Sequence, residues 1–108
     1  MKILFDATAP APLGGFLVRH DVVRAEQKGW QDLEIGDLLD AAEGERFDLV
    51  LTCAEDLPYD QNYYGRRLII FVLWSADWSA LAEYGERIGR VVDSAQAGQI
   101  IRVEVDRL

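Results

Sequence analysis

Unbroken runs of apolar side chains constrain the fold of this chain more than any other feature. They occupy residues 3–5, 49–51 and 68–73, and the last run, Leu-Ile-Ile-Phe-Val-Leu, is the longest. A short run without alternation between apolar and polar residues is typical of a strand that is buried on both faces. Such a strand needs helices on both sides of its sheet, so the runs predict the centre of a parallel sheet.

The whole chain reads as an alternating order of strands and helices. Strands are predicted at residues 2–5, 21–25, 47–53, 67–74 and 100–105. Helices are predicted around 13–17, at 36–44 and from the capping residue Asp77 to Gly98, with a loop or short helix at 57–65. This order predicts one α/β domain over residues 1–108, a three-layer α/β/α sandwich with a mainly parallel central sheet. Because residues 100–105 alternate, that strand is expected at an edge.

The charge of the chain limits which partners its surface attracts. It has 11 Lys and Arg residues against 19 Asp and Glu residues, and a net charge of −8. Since affinity for phosphate comes largely from Lys and Arg, tight nucleic-acid binding through a basic surface is not expected. An enzyme that acts on nucleic acid with the help of a divalent cation is compatible with this charge.

Cysteine content and hydropathy favour a protein of the reducing cytoplasm. Cys53 is the one cysteine, so no intramolecular disulfide forms, and its place in an apolar strand predicts a core residue and not a nucleophile. The N-terminal residues turn acidic too soon for a signal peptide. No apolar run approaches the roughly 18 residues that a membrane span needs, so no membrane partner is expected.

Acidic side chains follow two of the predicted core strands. Asp6 comes directly after the first strand, and Glu55 and Asp56 come shortly after the third. In an open α/β sheet, ligands bind just beyond the carboxyl ends of the strands. Carboxylates brought together there repel one another unless a cation lies between them. The sequence therefore predicts an acidic site at this edge of the sheet.

Five motifs follow one another along nearly the whole chain. They are the strand with Asp6 followed by Pro10, the Arg-His-Asp-Val of residues 19–22, Gly29-Trp30 with the helix start at 36–42, the Thr-Cys-Ala-Glu-Asp of 52–56, and residues 57–62 with 65–67. In this order they resemble the small PIN-like domains, which are relatives of the PIN-type toxin ribonucleases. Three positions depart from the family pattern: Thr8 replaces an Asn, Arg19 replaces a Gly, and Ala54 replaces an Asp.

What the resemblance implies is an endoribonuclease site that depends on Mg²⁺ or Mn²⁺. The implied catalytic residues and metal ligands are Asp6, Asp37 and Asp56, and the implied substrate-binding residues are Thr52, Gln61, Asn62 and Arg66. The implied partners are an RNA substrate, an antitoxin or other protein, and a second copy of the chain. The three Trp and four Tyr residues also favour self-association, because exposed aromatic side chains are enriched at interfaces.

Simpler roles compete with each of these functional ones. Asp6 and Asp56 suit a cap and a turn, and Asp37 suits the first turn of a helix, where the helix dipole favours an acid. Arg66 suits an ion pair on an acidic surface as well as a phosphate contact. His20 is expected to be structural. Because Ala54 lacks the family's carboxylate, the sequence leaves two functions open: a weakened ribonuclease, or a catalytically inactive PIN-like module that binds a protein.

Overall fold

A five-stranded sheet forms the middle of the protein, and the computed structural model describes residues 1–54 and 63–108 around it. The strands are β1 (Lys2–Phe5), β2 (Asp21–Arg24), β3 (Leu49–Thr52), β4 (Ile69–Leu73) and β5 (Ile100–Val103). Their order in the sheet is β2-β1-β3-β4-β5, and every neighbouring pair is parallel. The parallel sheet, its centre of β1, β3 and β4, and the edge position of β5 are thus confirmed.

Within the described residues, three α-helices lie between the strands: α1 (Ile35–Gly44), α2 (Trp78–Leu81) and α3 (Gly85–Ser94). The helix α1 forms because Leu38, Leu39 and Ala42 share one face, which is buried. The side chain of Asp77 begins α2 by accepting a hydrogen bond from the Ser79 N–H at 3.0 Å, as predicted. No helix within residues 1–54 and 63–108 is long and apolar enough to cross a membrane.

Each face of the sheet carries its own apolar cluster. Ile3 and Phe5 of β1 belong to the cluster that contains side chains of α2 and α3, and Leu4 belongs to the cluster with Leu38 and Leu39 of α1. This alternation follows from strand geometry, because successive side chains point to opposite faces. Both faces of the sheet are therefore covered, which is compatible with a three-layer α/β/α sandwich.

Two predicted helices take a different form. The first is a 3-10 helix at Ala11–Phe16, which follows from the shortness of a segment that holds two glycines. The helix predicted after Asp77 is divided by a 3-10 turn at Ala82–Tyr84. A Cβ built on Gly85 would lie 2.7 Å from the Phe16 ring, and one on Gly89 would lie 2.7 Å from the Phe16 carbonyl oxygen. The first connection therefore packs directly on α3.

The last strand is shorter than the sequence predicts. It ends at Val103, and a 3-10 helix follows at Val105–Arg107. Ile101 and Val103 face the cluster of α2 and α3 as expected, but Val105 is 42% exposed and does not continue that face. The alternating pattern thus predicted the direction of the side chains correctly within the strand and not beyond it.

Candidate functional site

The first candidate site lies where the order of the strands changes direction. From β1, the chain goes to one side for β2 and to the other side for β3. In doubly wound sheets the crevice at such a switch point, beyond the carboxyl ends of the strands, is where ligands bind. Asp6 directly follows β1 and Thr52 ends β3, and the Asp6 N–H donates to the Leu51 carbonyl oxygen at 3.1 Å. The fold thus brings these two strand ends side by side.

Hydroxyl groups on both sides hold the half-buried carboxylate of Asp6. Its Oδ1 accepts hydrogen bonds from the Thr8 N–H at 3.0 Å and from the Thr8 hydroxyl at 2.6 Å. Its Oδ2 accepts a hydrogen bond from the hydroxyl of Thr52, whose side chain is fully buried. Hydrogen bonds to an ionised acceptor are the stronger kind, so the carboxylate is fixed in orientation.

The same hydroxyl groups also accept hydrogen bonds from the backbone after β3. The Cys53 N–H donates to Thr8 Oγ1 at 2.8 Å, and the Ala54 N–H donates to Thr52 Oγ1 at 3.3 Å. The two threonine oxygens lie 3.4 Å apart. Each hydroxyl thus uses its proton on Asp6 and a lone pair on the opposite or following backbone. We call Asp6, Thr8, Thr52 and these two N–H groups the Asp6 network.

Cys53 is adjacent to the Asp6 network, but its thiol is not nucleophilic at neutral pH. Burial, and secondarily the negative charge of Asp6, raises the pKa of its thiol to about 12. The thiolate is the nucleophilic form of cysteine, so at neutral pH this side chain does not act as a nucleophile. The side chain packs in the cluster of α2 and α3, which confirms the prediction of a core residue.

The predicted metal ligands are only partly placed. Asp37 is exposed in the first turn of α1, and no hydrogen bond or ion pair joins its side chain to Asp6 in the described part of the chain. Asp56, Gln61 and Asn62 lie outside the described residues. Among residues 1–54 and 63–108, no group of three or more His, Cys, Asp or Glu side chains is arranged to hold a metal ion.

Whether the Asp6 network can hold a cation depends on how many acceptor positions of the Asp6 carboxylate are free. A carboxylate offers about four acceptor positions. Two on Oδ1 and one on Oδ2 are used by Thr8 and Thr52, so Asp6 keeps about one position for a cation. Mg²⁺ in proteins is held by one or two carboxylates and by water. Asp6 therefore fits as a single ligand, and a second carboxylate has to come from another segment.

The predicted phosphate contact Arg66 is engaged elsewhere. Its guanidinium forms an ion pair with Asp40 at 2.9 Å and another with Glu43, both on α1, and the side chain is 15% exposed. Burial alone would lower the pKa of Arg66, but its hydrogen bonds to Glu43 and Asp40 outweigh burial and raise that pKa. The structure thus gives Arg66 the ion-pair role that the sequence left open beside the phosphate contact.

His20 has a structural position, as expected. Its Nδ1 lies 3.0 Å from the amino group of Met1, and its Nε2 lies 2.6 Å from Oδ1 of Asp93 on α3. The side chain therefore ties the start of β1 to α3. Sequence reasoning missed the role of Thr8, which it noted only as a departure from the family pattern. The signal was present, because an Asp followed two residues later by Thr favours a local side-chain hydrogen bond.

Comparisons with protein-family models, with curated proteins and with solved structures found no match for this chain. The resemblance to the PIN-like family therefore rests on the motifs themselves.

Proposed function

We propose that this chain is a PIN-like domain of the metal-dependent endoribonuclease type, with an acidic site that lacks one carboxylate at Ala54. The observation that carries the proposal is the position of Asp6 at the switch point between β1 and β3, next to Thr52. This is the position at which an open parallel sheet binds ligands. The motifs supply the reaction class, and a cytoplasmic RNA is the proposed substrate.

In this proposal the residues divide into ligands and positioning groups. Asp6, Asp37 and Asp56 would hold Mg²⁺ or Mn²⁺, which when bound supplies an activated water and neutralises phosphate charge. Thr8 and Thr52 hold the Asp6 carboxylate in one orientation.

The proposed contacts to RNA come from other side chains. Gln61 and Asn62 would contact RNA. Thr52, which the resemblance also implies as an RNA contact, is fully buried and uses its hydroxyl on Asp6 and on the Ala54 N–H, so it acts as a positioning group instead. Arg66 would reach a phosphate only by leaving Asp40 and Glu43. RNA binding is therefore expected to depend little on this arginine.

A second candidate function is a catalytically inactive PIN-like module that binds an antitoxin, another protein or a second copy of itself. One observation favours it: the carboxylate of Asp6 already accepts three hydrogen bonds, from the N–H and hydroxyl of Thr8 and from the hydroxyl of Thr52. This function predicts a complex but no RNA cleavage. A sedimentation measurement at tens of micromolar tests the self-association arm, because a species that stays monomeric contradicts a second copy as the partner.

The variant Ala54→Asp separates the two functions. It restores the family's carboxylate two residues after Thr52, so in chelator it adds repulsion beside Asp6 and should lower the melting temperature. Mn²⁺ or Mg²⁺ should then raise its melting temperature more than that of the native protein, because a ligand that binds only the folded state stabilises it. RNA cleavage, measured in parallel, should increase.

The matched control is Ala82→Asp, which adds the same charge at an exposed position of the Ala82–Tyr84 turn. It should show neither the metal response nor a gain in cleavage. If metal shifts the native protein and both variants equally and RNA stays intact, the ribonuclease proposal is wrong and the binding module is the better account.

A further inference from the structure

A cavity lies at the end of the sheet opposite the Asp6 network, where the strands begin. It has a volume of about 510 Å³ and is bordered by Met1 before β1, by Phe47 and Asp48 before β3, and by Arg67 and Leu68 before β4. Small-molecule sites in proteins span about 300–1,000 Å³ and combine an apolar lining with a few polar groups. This cavity has the size and the mixed lining of such a site, and it is separate from the Asp6 network.

In the described part of the chain, the acidic side chains around this cavity have hydrogen-bond or ion-pair partners, and its basic side chains do not. Of its two acidic side chains, Glu43 is paired with Arg66, and Asp48 accepts a hydrogen bond from the Lys2 N–H at 2.7 Å. The side chains of Arg46 and Arg67 are exposed and have no ion pair or hydrogen bond to any residue in 1–54 or 63–108. A backbone N–H does not neutralise the charge of Asp48, so Arg46 and Arg67 together leave one excess positive charge at this cavity. In a chain with 19 acidic residues, such a local excess of positive charge favours an anionic ligand.

The backbone of Arg46 adds an independent observation. Its φ of 62° makes it the one non-glycine residue with positive φ in the described part of the chain. Arg46 ends α1 in a Schellman motif, since its N–H bonds the Glu43 carbonyl at 3.0 Å and the Phe47 N–H bonds the Ala42 carbonyl at 2.9 Å. Glycine is the usual residue at this position because it has no Cβ penalty. Arg46 therefore carries a conformational cost at a position that favours glycine, and its side chain borders the cavity.

We propose that this cavity binds a small phosphate monoester of mononucleotide size. The guanidinium groups of Arg46 and Arg67 can each pair with the oxygens of a phosphate monoester, which is nearly divalent at neutral pH, and their planar forks suit those oxygens. Phe47, Leu68 and Ile69 supply an apolar floor for the body of the ligand. The proposal does not depend on the ribonuclease function, because no residue of the Asp6 network takes part.

Calorimetric titration with adenosine 5′-monophosphate, inorganic phosphate and adenosine tests the ligand class. The monophosphate should bind more tightly than inorganic phosphate, because only the monophosphate uses both the arginines and the apolar floor. Adenosine should not bind measurably. Absence of monophosphate binding at millimolar concentration, or equal affinity for the monophosphate and inorganic phosphate, would overturn the proposal.

Variants locate the binding. Arg46→Gly and Arg67→Gln should each weaken the monophosphate by about tenfold or more, since each removes charged hydrogen bonds. Arg46→Gly should also raise the melting temperature, so its loss of affinity cannot come from unfolding. Arg90→Gln, an exposed change of the same charge on α3, and Asp6→Asn should leave the affinity within about twofold. Equal losses in Arg90→Gln, or a loss only in Asp6→Asn, would contradict this site.

Discussion

The carboxyl edge of the sheet, where the strands end, and the amino edge, where they begin, differ in whether their charged side chains have partners. At the carboxyl edge, the polar groups of the Asp6 network satisfy one another, and three of the four acceptor positions of Asp6 are filled by Thr8 and Thr52. At the amino edge, Arg46 and Arg67 border a cavity without partners in the described residues. The carboxylate of Asp6 is therefore held in one orientation and keeps about one position for a cation, whereas the guanidinium groups of Arg46 and Arg67 are free to pair with an anion. The predictions below test this contrast.

The largest expected effect concerns the thiol next to the Asp6 network. A rise in the pKa of Cys53 from 9.0 to about 12 lowers its thiolate fraction at pH 8 by about a thousandfold. Labelling with a thiol reagent should therefore be strongly suppressed in the native protein and rapid in urea. Because the folded pKa is raised, the stabilising contribution is present below pH 9 and is lost as the pH rises toward 12. Rapid labelling of the native protein would show that the carboxyl edge is open.

Thr52→Val should break the Asp6 network with little change in shape. It removes a donor to the Asp6 carboxylate and the acceptor for the Ala54 N–H, and the site is fully buried. We expect the free energy of unfolding in urea to fall by about 2 kcal/mol, as for a lost hydrogen bond to a charged group. The control Ser94→Ala removes an exposed hydroxyl that bonds the Val91 carbonyl, and should change stability far less. Equal effects would mean that the network is not a stabilising unit.

Arg46→Gly should stabilise the fold at the amino edge. Glycine accepts the positive φ of this position without the cost of a Cβ, which is about 1 kcal/mol for other residues. Thermal or urea unfolding should show this gain. Gly44→Ala provides a matched comparison in the same helix end, at a position where an added Cβ meets nothing within 4 Å. A loss of stability in Arg46→Gly would show that the arginine side chain supports the fold, and would remove the argument for strain.

The smallest effect is expected at Arg66. Its two ion pairs with Asp40 and Glu43 lie on α1, and both carboxylates are well exposed to solvent, which weakens each pair. Arg66→Gln should lower the free energy of unfolding by about 0.5 kcal/mol and leave RNA cleavage unchanged. A large loss of cleavage without a loss of stability would instead assign Arg66 to RNA binding, the role implied by the PIN-like resemblance.

The sequence predicts the sheet well because its signals are local. An unbroken apolar run, as in β4, indicates burial on both faces whatever surrounds it, and the alternation in β5 indicates an edge. The division between α2 and α3 is not local, since Gly85 and Gly89 meet Phe16 from a distant segment. Tertiary contacts of this kind leave no periodic signal in the chain.

Contacts between distant segments also limit what the sequence predicts about the candidate site. Asp6 was predicted from its place at a strand end, but its bond to Thr52 spans 46 residues and depends on strand order. The end of α1 is a second example, because Gly44 suggests the helix stop, whereas the left-handed residue is Arg46. The Schellman hydrogen bonds and the packing of Phe47 decide which residue adopts the left-handed conformation.

Mn²⁺ titration followed by nuclear magnetic resonance tests the contrast between the two edges most directly. A bound paramagnetic ion broadens the amide signals near it. The proposed function predicts early broadening at Thr8, Cys53 and Ala54, no early broadening at Arg46 and Arg67, and loss of the effect in Asp6→Asn. Broadening that is equal at both edges, or unchanged in Asp6→Asn, would contradict a metal site at the carboxyl end of β1.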